Sequence, residues 1–191
     1  MKRSLPITTL FVDVGGVLLT NGWDYHERKG AANHFKHNWA EMDERHGLVF
    51  ETREEGKLFF DEYLGWVVFF EKRPFTQNQF RDFMFSQSKP YPKMLDLVAQ
   101  LKTQHGFKIV VISNESRNVN TYRVRTFMLD RLALDLAQTA PERAVFIDNT
   151  PMFVEIAERL GMQGLHHVDY KSTCAKLASL GLQTSEANLD V

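Results

Sequence analysis

The sequence predicts an α/β fold, a Rossmann-like parallel sheet with helices on both faces and an inserted all-helical cap. Short runs of β-branched and aromatic residues, typical of buried strands, occur at residues 9–12, 108–112 and 144–147. Residues 21–88 show helical rather than strand patterns, whereas amphipathic helices alternate with strands from residue 92 onwards. Strands that alternate with helices usually pair in parallel, and helices then cover both faces of the sheet.

The first predicted strand ends at Asp13, and Gly15 and Gly16 follow closely. Open α/β sheets bind their ligands at the carboxyl ends of their strands. The two glycines allow a sharp turn and leave backbone amide and carbonyl groups uncovered. Asp13 is therefore a candidate nucleophile or metal ligand, although a strand that merely ends in an Asp and a Gly-Gly turn has the same pattern.

The segment that follows is predicted to be an all-helical cap over residues 20–88, with residues 1–19 and 89–191 forming the Rossmann-like core. Thr76 and Gln79 form a plausible capping box for a helix through Met84. Several aromatic residues of this segment are predicted to form the core of the cap rather than a substrate pocket: Phe59, Phe60, Trp66, Phe69, Phe70 and Phe75.

The second half of the chain alternates helices and strands. Each of its first two strands ends in a polar pair, Ser113-Asn114 and Asp148-Asn149. The helices are predicted near residues 94–104, 119–137, 153–160 and 173–180, and the strands at 108–112, 144–147 and 165–168.

Three predicted strands thus end in polar residues, and the carboxyl ends of parallel strands lie at one edge of a sheet. An Asp nucleophile, a hydroxyl and an amide to hold oxyanions, and a second carboxylate beside Mg²⁺ together make a phosphoryl-transfer site. The sequence therefore predicts such a site at Asp13, Ser113, Asn114 and Asp148.

Composition excludes several other classes of protein. A net charge of −1 gives no electrostatic footprint for nucleic acid or an anionic membrane. No apolar run is long enough to span a membrane, and Cys174 is the single cysteine, so we expect a cytoplasmic protein without disulfides. The histidines of the cap match no zinc spacing and are predicted to lie at the surface: His26, His34, His37 and His46.

Three segments resemble the haloacid dehalogenase-like superfamily, in particular its phosphatase branch with a helical cap after the first strand. They are residues 11–18 (FVDVGGVL), 109–114 (IVVISN) and 145–151 (VFIDNTP), and the resemblance covers nearly the whole chain. It implies two-step hydrolysis of a small phosphorylated metabolite through an aspartyl phosphate on Asp13.

The resemblance also implies a role for each remaining site residue. Ser113 would bind the phosphoryl oxygens with Asn114 close by, and the turn at Gly15 and Gly16 would adjoin the substrate. Mg²⁺ would be held by the Asp13 carboxylate, the carbonyl oxygen of Gly15, and Asp148 with Asn149. The cap would close over the site and select the substrate.

The chain departs from the family pattern at two site positions. Gly15 stands where phosphatases of the family usually carry a second Asp that protonates the leaving group. General acid catalysis is typically worth about 10²–10⁴-fold, so good leaving groups such as acyl phosphates would suffer least from its loss. Asn149 stands where many relatives have a second acid, which lowers the negative charge at the metal and predicts weaker Mg²⁺ binding.

A third departure concerns the basic residue that relatives place between the second and last motifs. No Lys and no basic-Pro pair occurs between Asn114 and Asp148, and a strand with its connections, roughly twenty residues or more, looks deleted there. Loss of a cation beside a phosphoryl group commonly costs several kcal/mol of transition-state stabilisation. Arg117 or Arg123 is a candidate partial replacement.

Three functions remain open from the sequence. The first is a phosphatase with impaired chemistry, and the second is a non-catalytic module of the same fold that binds Mg²⁺, phosphate or a partner. The third is a metal-independent dehalogenase, with which Gly15 is compatible. Substrate identity and oligomeric state are not encoded in any of these motifs.

Overall fold

The computed structural model describes residues 6–54, 57–113, 115–129 and 139–183. These residues form two compact units. The sheet unit contains residues 6–20, 90–113 and the described residues from 128 onwards, and the helical unit contains residues 21–89 and 115–127.

The described elements alternate as the sequence predicts, with a helical stretch between the first and second strands. In chain order they are β1 (Thr9–Asp13), α1 (Tyr25–His34), α2 (Trp39–Glu54), α3 (Phe60–Val67), α4 (Gln77–Ser86), α5 (Pro92–His105), β2 (Lys108–Ile112), α6 (Arg117–Phe127), a 3₁₀ turn (Pro141–Arg143), β3 (Ala144–Asp148), α7 (Pro151–Arg159), β4 (Gln163–His166) and α8 (Tyr170–Ser179).

The four strands form one parallel sheet in the order β2-β1-β3-β4. Strands β1 and β3 lie inside the sheet: Leu10 and Val12 of β1 are fully buried, and every residue of β3 is buried. Helices α5, α7 and α8 contact β2, β3 and β4, respectively. The structure therefore confirms the α/β, Rossmann-like fold class.

The helical unit has its own hydrophobic core. Helix α3 contributes Phe60, Tyr63, Leu64 and Val67, whose spacing of three and four residues places them on one helical face. Phe69 and Phe75 pack against this core from outside α3, in agreement with the prediction. The boundary predicted from sequence, a cap over residues 20–88, remains a prediction about domain organisation.

Two aromatic residues predicted to lie in the core do not. Phe59 is 77% exposed and Trp66 is 61% exposed. Phe59 precedes the first turn of α3 as its N-cap, and Trp66 falls outside the spacing that defines the buried face of that helix. The sequence prediction was therefore wrong for these two side chains.

Two histidines predicted at the surface are instead buried. His37 is 9% exposed and His46 is 6% exposed. The Nδ1 atom of His46 lies 2.9 Å from the hydroxyl of Tyr63, and this hydrogen bond compensates for burial of the imidazole.

Helix α6 ends earlier than predicted. It ends at Phe127, and Met128 has a positive φ of 53°, a left-handed conformation that stops the helix. The remainder of the helix predicted at 119–137 falls largely on residues 130–138, outside the described residues. In the described part of the chain, no helix has the length and apolar character needed to cross a membrane.

Candidate active site

The carboxyl edge of the sheet brings together the ends of β1, β2 and β3. Asp13 pairs in register with Ile112, so Ser113 begins one residue beyond the last pair of β1 and β2. On the other side Val12 pairs with Ile147, which places Asp13 and Asp148 next to each other on adjacent strands. Neighbouring strands lie roughly 4.8 Å apart, so these two carboxylates occupy one small region.

The loop after Asp13 is a tight, hydrogen-bonded turn. Gly16 has a positive φ of 72°, and its N–H donates to the carbonyl oxygen of Leu19 at 2.7 Å. The N–H groups of Leu18 and Leu19 both donate to the carbonyl oxygen of Val14. A residue with a side chain would strain the backbone at Gly16, which explains why glycine stands there.

Asp148 is buried and oriented by the backbone that follows it. It is 4% exposed, and its Oδ1 atom accepts a hydrogen bond from the N–H of Thr150 at 2.7 Å. Its own carbonyl oxygen accepts from the N–H of His167 at 2.8 Å. Asn149 is held separately, because Nε2 of His166 donates to its carbonyl oxygen at 3.1 Å.

Six of the seven residues predicted from the sequence lie at this edge or in its first loop. Asp13, Gly15, Gly16, Ser113 and Asn149 are half-buried, and Asp148 is buried. The seventh, Asn114, lies outside the described residues. The catalytic and ligand roles assigned to these residues remain predictions.

The donor set at this edge suits magnesium. Mg²⁺ prefers hard oxygen ligands and usually binds through one or two carboxylates, completing its shell with water and substrate phosphate. Asp13 and Asp148 supply two neighbouring carboxylates, and Oδ1 of Asp148 is already oriented by a hydrogen bond. Among the described residues, no group of three or more His, Cys, Asp or Glu side chains is arranged to hold a metal. A magnesium site here would accordingly depend on water and phosphate ligands.

Arg123, a candidate replacement for the missing basic residue, is fully engaged within the helical unit. Its guanidinium pairs with Glu115, and its Nε donates to the Ser88 hydroxyl at 3.0 Å. It also donates to the carbonyl oxygen of Asn21, and its side chain is 3% exposed. We therefore assign Arg123 a structural role, and Arg117 is exposed on the same helix.

Two residues near this edge, Lys93 and His167, were not predicted from the sequence as site residues. Both line a cleft that also contacts Gly16. His167 is buried with its Nδ1 atom 2.7 Å from the hydroxyl of Thr173, and burial lowers its pKa, so it is neutral at pH 7. Lys93 stands at the second position of α5, directly after the chain returns to the sheet, and this position is the only sequence signal for it.

Similar solved structures support the fold of this chain, whereas no similar sequence was found. No protein-family model and no curated protein matches the chain. A haloacid dehalogenase family enzyme from Bacteroides thetaiotaomicron has a similar structure, with a TM-score of 0.64 and 17% identity over 86% of this chain and 95% of that one. The same enzyme in complex with magnesium and inorganic phosphate gives a TM-score of 0.63 at 18% identity, covering 85% and 94% of the two chains.

Two further structures extend the comparison. A predicted hydrolase of this type from Porphyromonas gingivalis has a TM-score of 0.60 and 17% identity, covering 85% of this chain and 91% of that one. An L-2-haloacid dehalogenase from Xanthobacter autotrophicus, with chloropropionic acid covalently bound, has a TM-score of 0.52 and 11% identity over 92% and 84%. The parallel sheet, its polar carboxyl edge and these likenesses lead to one conclusion: the chain has the fold of the haloacid dehalogenase-like hydrolases.

Proposed function

We propose that the protein is a magnesium-dependent phosphatase that hydrolyses a small phosphorylated metabolite through an aspartyl phosphate on Asp13. The observation that carries this proposal is the adjacency of Asp13 and Asp148 at the carboxyl edge, with Ser113 directly after the strand on the other side of β1. The structural neighbour that holds both magnesium and inorganic phosphate supports the same chemistry.

In the proposed reaction an oxygen of Asp13 attacks phosphorus, and the bond to the leaving-group oxygen breaks with its electron pair. The hydroxyl of Ser113 donates to a phosphoryl oxygen. Water then hydrolyses the acyl phosphate, releasing inorganic phosphate and restoring the carboxylate. Bound Mg²⁺, held by Asp13, Asp148, Asn149 and the carbonyl oxygen of Gly15, would neutralise charge on the phosphoryl group.

Turnover is expected to be slow. Gly15 cannot protonate the leaving group, and Arg123 is paired with Glu115. Acetyl phosphate and p-nitrophenyl phosphate should therefore be cleaved faster than a simple alkyl ester, since their leaving groups need little or no proton donation.

The experiment compares hydrolysis of these two substrates by the wild type and Asp13→Asn at saturating Mg²⁺. Asp96→Asn makes the same chemical change at an exposed position of α5 and serves as the matched control. We expect Asp13→Asn to abolish turnover and Asp96→Asn to retain it. Equal rates for the wild type and Asp13→Asn, with both proteins folded, would refute the proposal.

A second candidate function is a non-catalytic protein that binds Mg²⁺ and phosphate at the same edge. The contacts of Arg123 favour this function. Its guanidinium is already held by Glu115, Ser88 and Asn21, so it does not neutralise a phosphoryl group. Binding of magnesium and phosphate without measurable turnover would identify this function. Chloride release from 2-chloropropionate in the absence of metal would instead identify a dehalogenase.

A further inference from the structure

The sheet unit contains a cleft of about 400 Å³ next to the loop that follows Asp13. Gly16 lines one part of it, and residues 91–94 at the start of α5 line another. Residues 167–170, which connect β4 to α8, complete the lining. Clefts of roughly 300–1,000 Å³ accommodate small organic ligands, so this one exceeds what a phosphate ion alone requires.

The start of α5 is fixed to the loop that carries Gly16. The N–H of Tyr91 donates to the carbonyl oxygen of Leu18 at 2.9 Å, and Leu19 forms an antiparallel bridge with Pro90. The N–H of Gly16 donates in turn to the carbonyl oxygen of Leu19. These hydrogen bonds hold Tyr91, the N-cap of α5, against the loop that begins at the proposed nucleophile. Lys93 follows two residues later.

Lys93 gives the cleft a positive charge. Its ammonium group lies 5.5 Å from the centroid of the Tyr170 ring, and none of the described carboxylates forms an ion pair with it. The one carboxylate in the lining, Asp169, accepts a hydrogen bond from the N–H of Ser172 at 2.8 Å as the N-cap of α8. Among the lining residues Lys93 is the one lysine or arginine and Asp169 the one carboxylate, and the two form no ion pair.

Two helices begin at the cleft, and their N-terminal ends affect its electrostatic potential. The lining includes the first residues of both α5 and α8, whose N-terminal ends carry partial positive charge. The Asp169 carboxylate caps α8 and offsets the dipole of that helix, so an anionic group beside Lys93 would meet the charge of the lysine and the favourable dipole of α5.

We propose that this cleft is a subsite for a second anionic group of the substrate, which binds to Lys93 while the phosphoryl group lies at Asp13. The inference rests on the proposed function and narrows it to small phosphorylated molecules that carry a carboxylate or a second phosphate. Lys93 thereby positions the leaving-group part of the substrate and sets specificity.

The test compares two ligands of equal length whose carbon–phosphorus bond cannot be hydrolysed. 3-Phosphonopropionate carries a terminal carboxylate, and propylphosphonate carries a methyl group in its place. Calorimetric titration with Mg²⁺ measures both affinities for the wild type, Lys93→Met and Lys93→Arg. Lys171→Met is the matched control, because Lys171 is an exposed lysine at the second position of α8 that does not line the cleft.

We expect the wild type to bind 3-phosphonopropionate about tenfold more tightly than propylphosphonate, the size of effect that a charge-assisted hydrogen bond gives. Lys93→Met should remove this preference, whereas Lys93→Arg and Lys171→Met should keep it. Equal wild-type affinities, absence of binding, or a preference that survives in Lys93→Met would overturn the proposal. An equal loss of affinity for both ligands would also overturn it, because Lys93 would then act on the phosphonate.

This measurement separates the subsite from the proposed hydrolysis. A lysine-dependent preference in a protein without Asp13-dependent turnover would support the subsite and refute the phosphatase activity. Asp13-dependent turnover without a preference for 3-phosphonopropionate would support the phosphatase activity and refute the subsite.

Discussion

At the scale of single residues, Asn149 determines how much negative charge surrounds the predicted metal. The described edge offers the carboxylates of Asp13 and Asp148, and Asn149 contributes an amide where a third acid would add another charge. Oxygen sites tune their affinity for divalent cations by the number of charged ligands. If Mg²⁺ binds at this edge as proposed, the uncharged side chain of Asn149 would weaken its binding.

Asn149→Asp should strengthen Mg²⁺ binding about tenfold, because it adds a carboxylate beside Asp148. Calorimetric titration with MgCl₂ in the absence of phosphate measures the effect. Asn118→Asp makes the same change at an exposed position of the helical unit and should leave the affinity unaltered. Unchanged or weaker binding in Asn149→Asp would exclude Asn149 from the metal's surroundings.

A buried hydrogen-bonded chain in the helical unit makes stability depend on pH. Nε1 of Trp23 donates to the hydroxyl oxygen of Tyr63 at 2.8 Å, and the same hydroxyl forms a hydrogen bond with Nδ1 of His46 at 2.9 Å. Burial, reinforced by the charges of Arg28 and Arg53, lowers the pKa of His46 to about 4. The folded protein thus favours neutral His46, whereas the unfolded chain binds a proton near pH 6.5.

The contribution of His46 to the free energy of unfolding should be constant above pH 6.5 and fall as the pH decreases towards about 4. The loss should reach at most about 3–4 kcal/mol, since each unit of pKa difference corresponds to about 1.4 kcal/mol. Urea unfolding of the wild type and His46→Gln at several pH values measures it, because Gln can accept the Tyr63 hydrogen bond without titrating. Identical pH dependence in the two proteins would contradict this account.

At the scale of elements, α4 shows a helix start that local sequence specifies completely. The hydroxyl of Thr76 accepts from the N–H of Gln79 at 3.2 Å, and the side-chain oxygen of Gln79 accepts from the N–H of Thr76 at 2.8 Å. Both donors lack partners inside the helix, so the reciprocal pair satisfies them. The capping box predicted from the sequence is confirmed.

Thr76→Ala should lower the free energy of unfolding by about 1 kcal/mol, because the N–H of Gln79 loses its acceptor. Chemical denaturation measures the change, with Thr121→Ala at an exposed position within α6 as the control. A loss of equal size in both variants would show that the cap does not contribute specifically.

The strands were predicted correctly where a continuous run of hydrophobic side chains indicates burial, and less accurately where the run is interrupted. Strands β2 and β3 begin at the predicted residues because their hydrophobic runs are continuous. Strand β4 begins at Gln163, two residues before the prediction, because Gly164 has no side chain to reveal the pattern. A Cβ atom at Gly164 would lie 2.8 Å from Cγ1 of Val154, so close packing of α7 requires glycine there.

Other features depend on tertiary contacts that local patterns do not encode. Methionine has a high helix propensity, yet Met128 adopts a left-handed conformation after α6. The burial of His46 and the hydrogen bonds of Arg123 with Ser88 and Asn21 likewise arise from packing of segments that are distant in sequence. The sequence predicted where β1, β2 and β3 end, but the contacts of Arg123 became visible only in the structure.

At the scale of the whole molecule, the parallel sheet explains why residues far apart in sequence form one candidate site. Strand β1 lies between β2 and β3, so Asp13 has Ser113 on one side and Asp148 on the other. The structure with bound magnesium and inorganic phosphate, 18% identical to this chain, has a similar fold, and this fold creates the edge. We propose that Asp13 becomes phosphorylated at this edge.

The most direct test is to find the phosphoryl group. Wild-type protein is mixed with acetyl phosphate and Mg²⁺, quenched in acid within milliseconds to seconds, and analysed by intact-mass and peptide mass spectrometry. We predict a mass increase of one phosphoryl group on the peptide that contains Asp13, discharged by hydroxylamine and absent from Asp13→Asn. A folded, magnesium-loaded protein that never acquires the group, or that carries it on another residue in both proteins, would contradict the account.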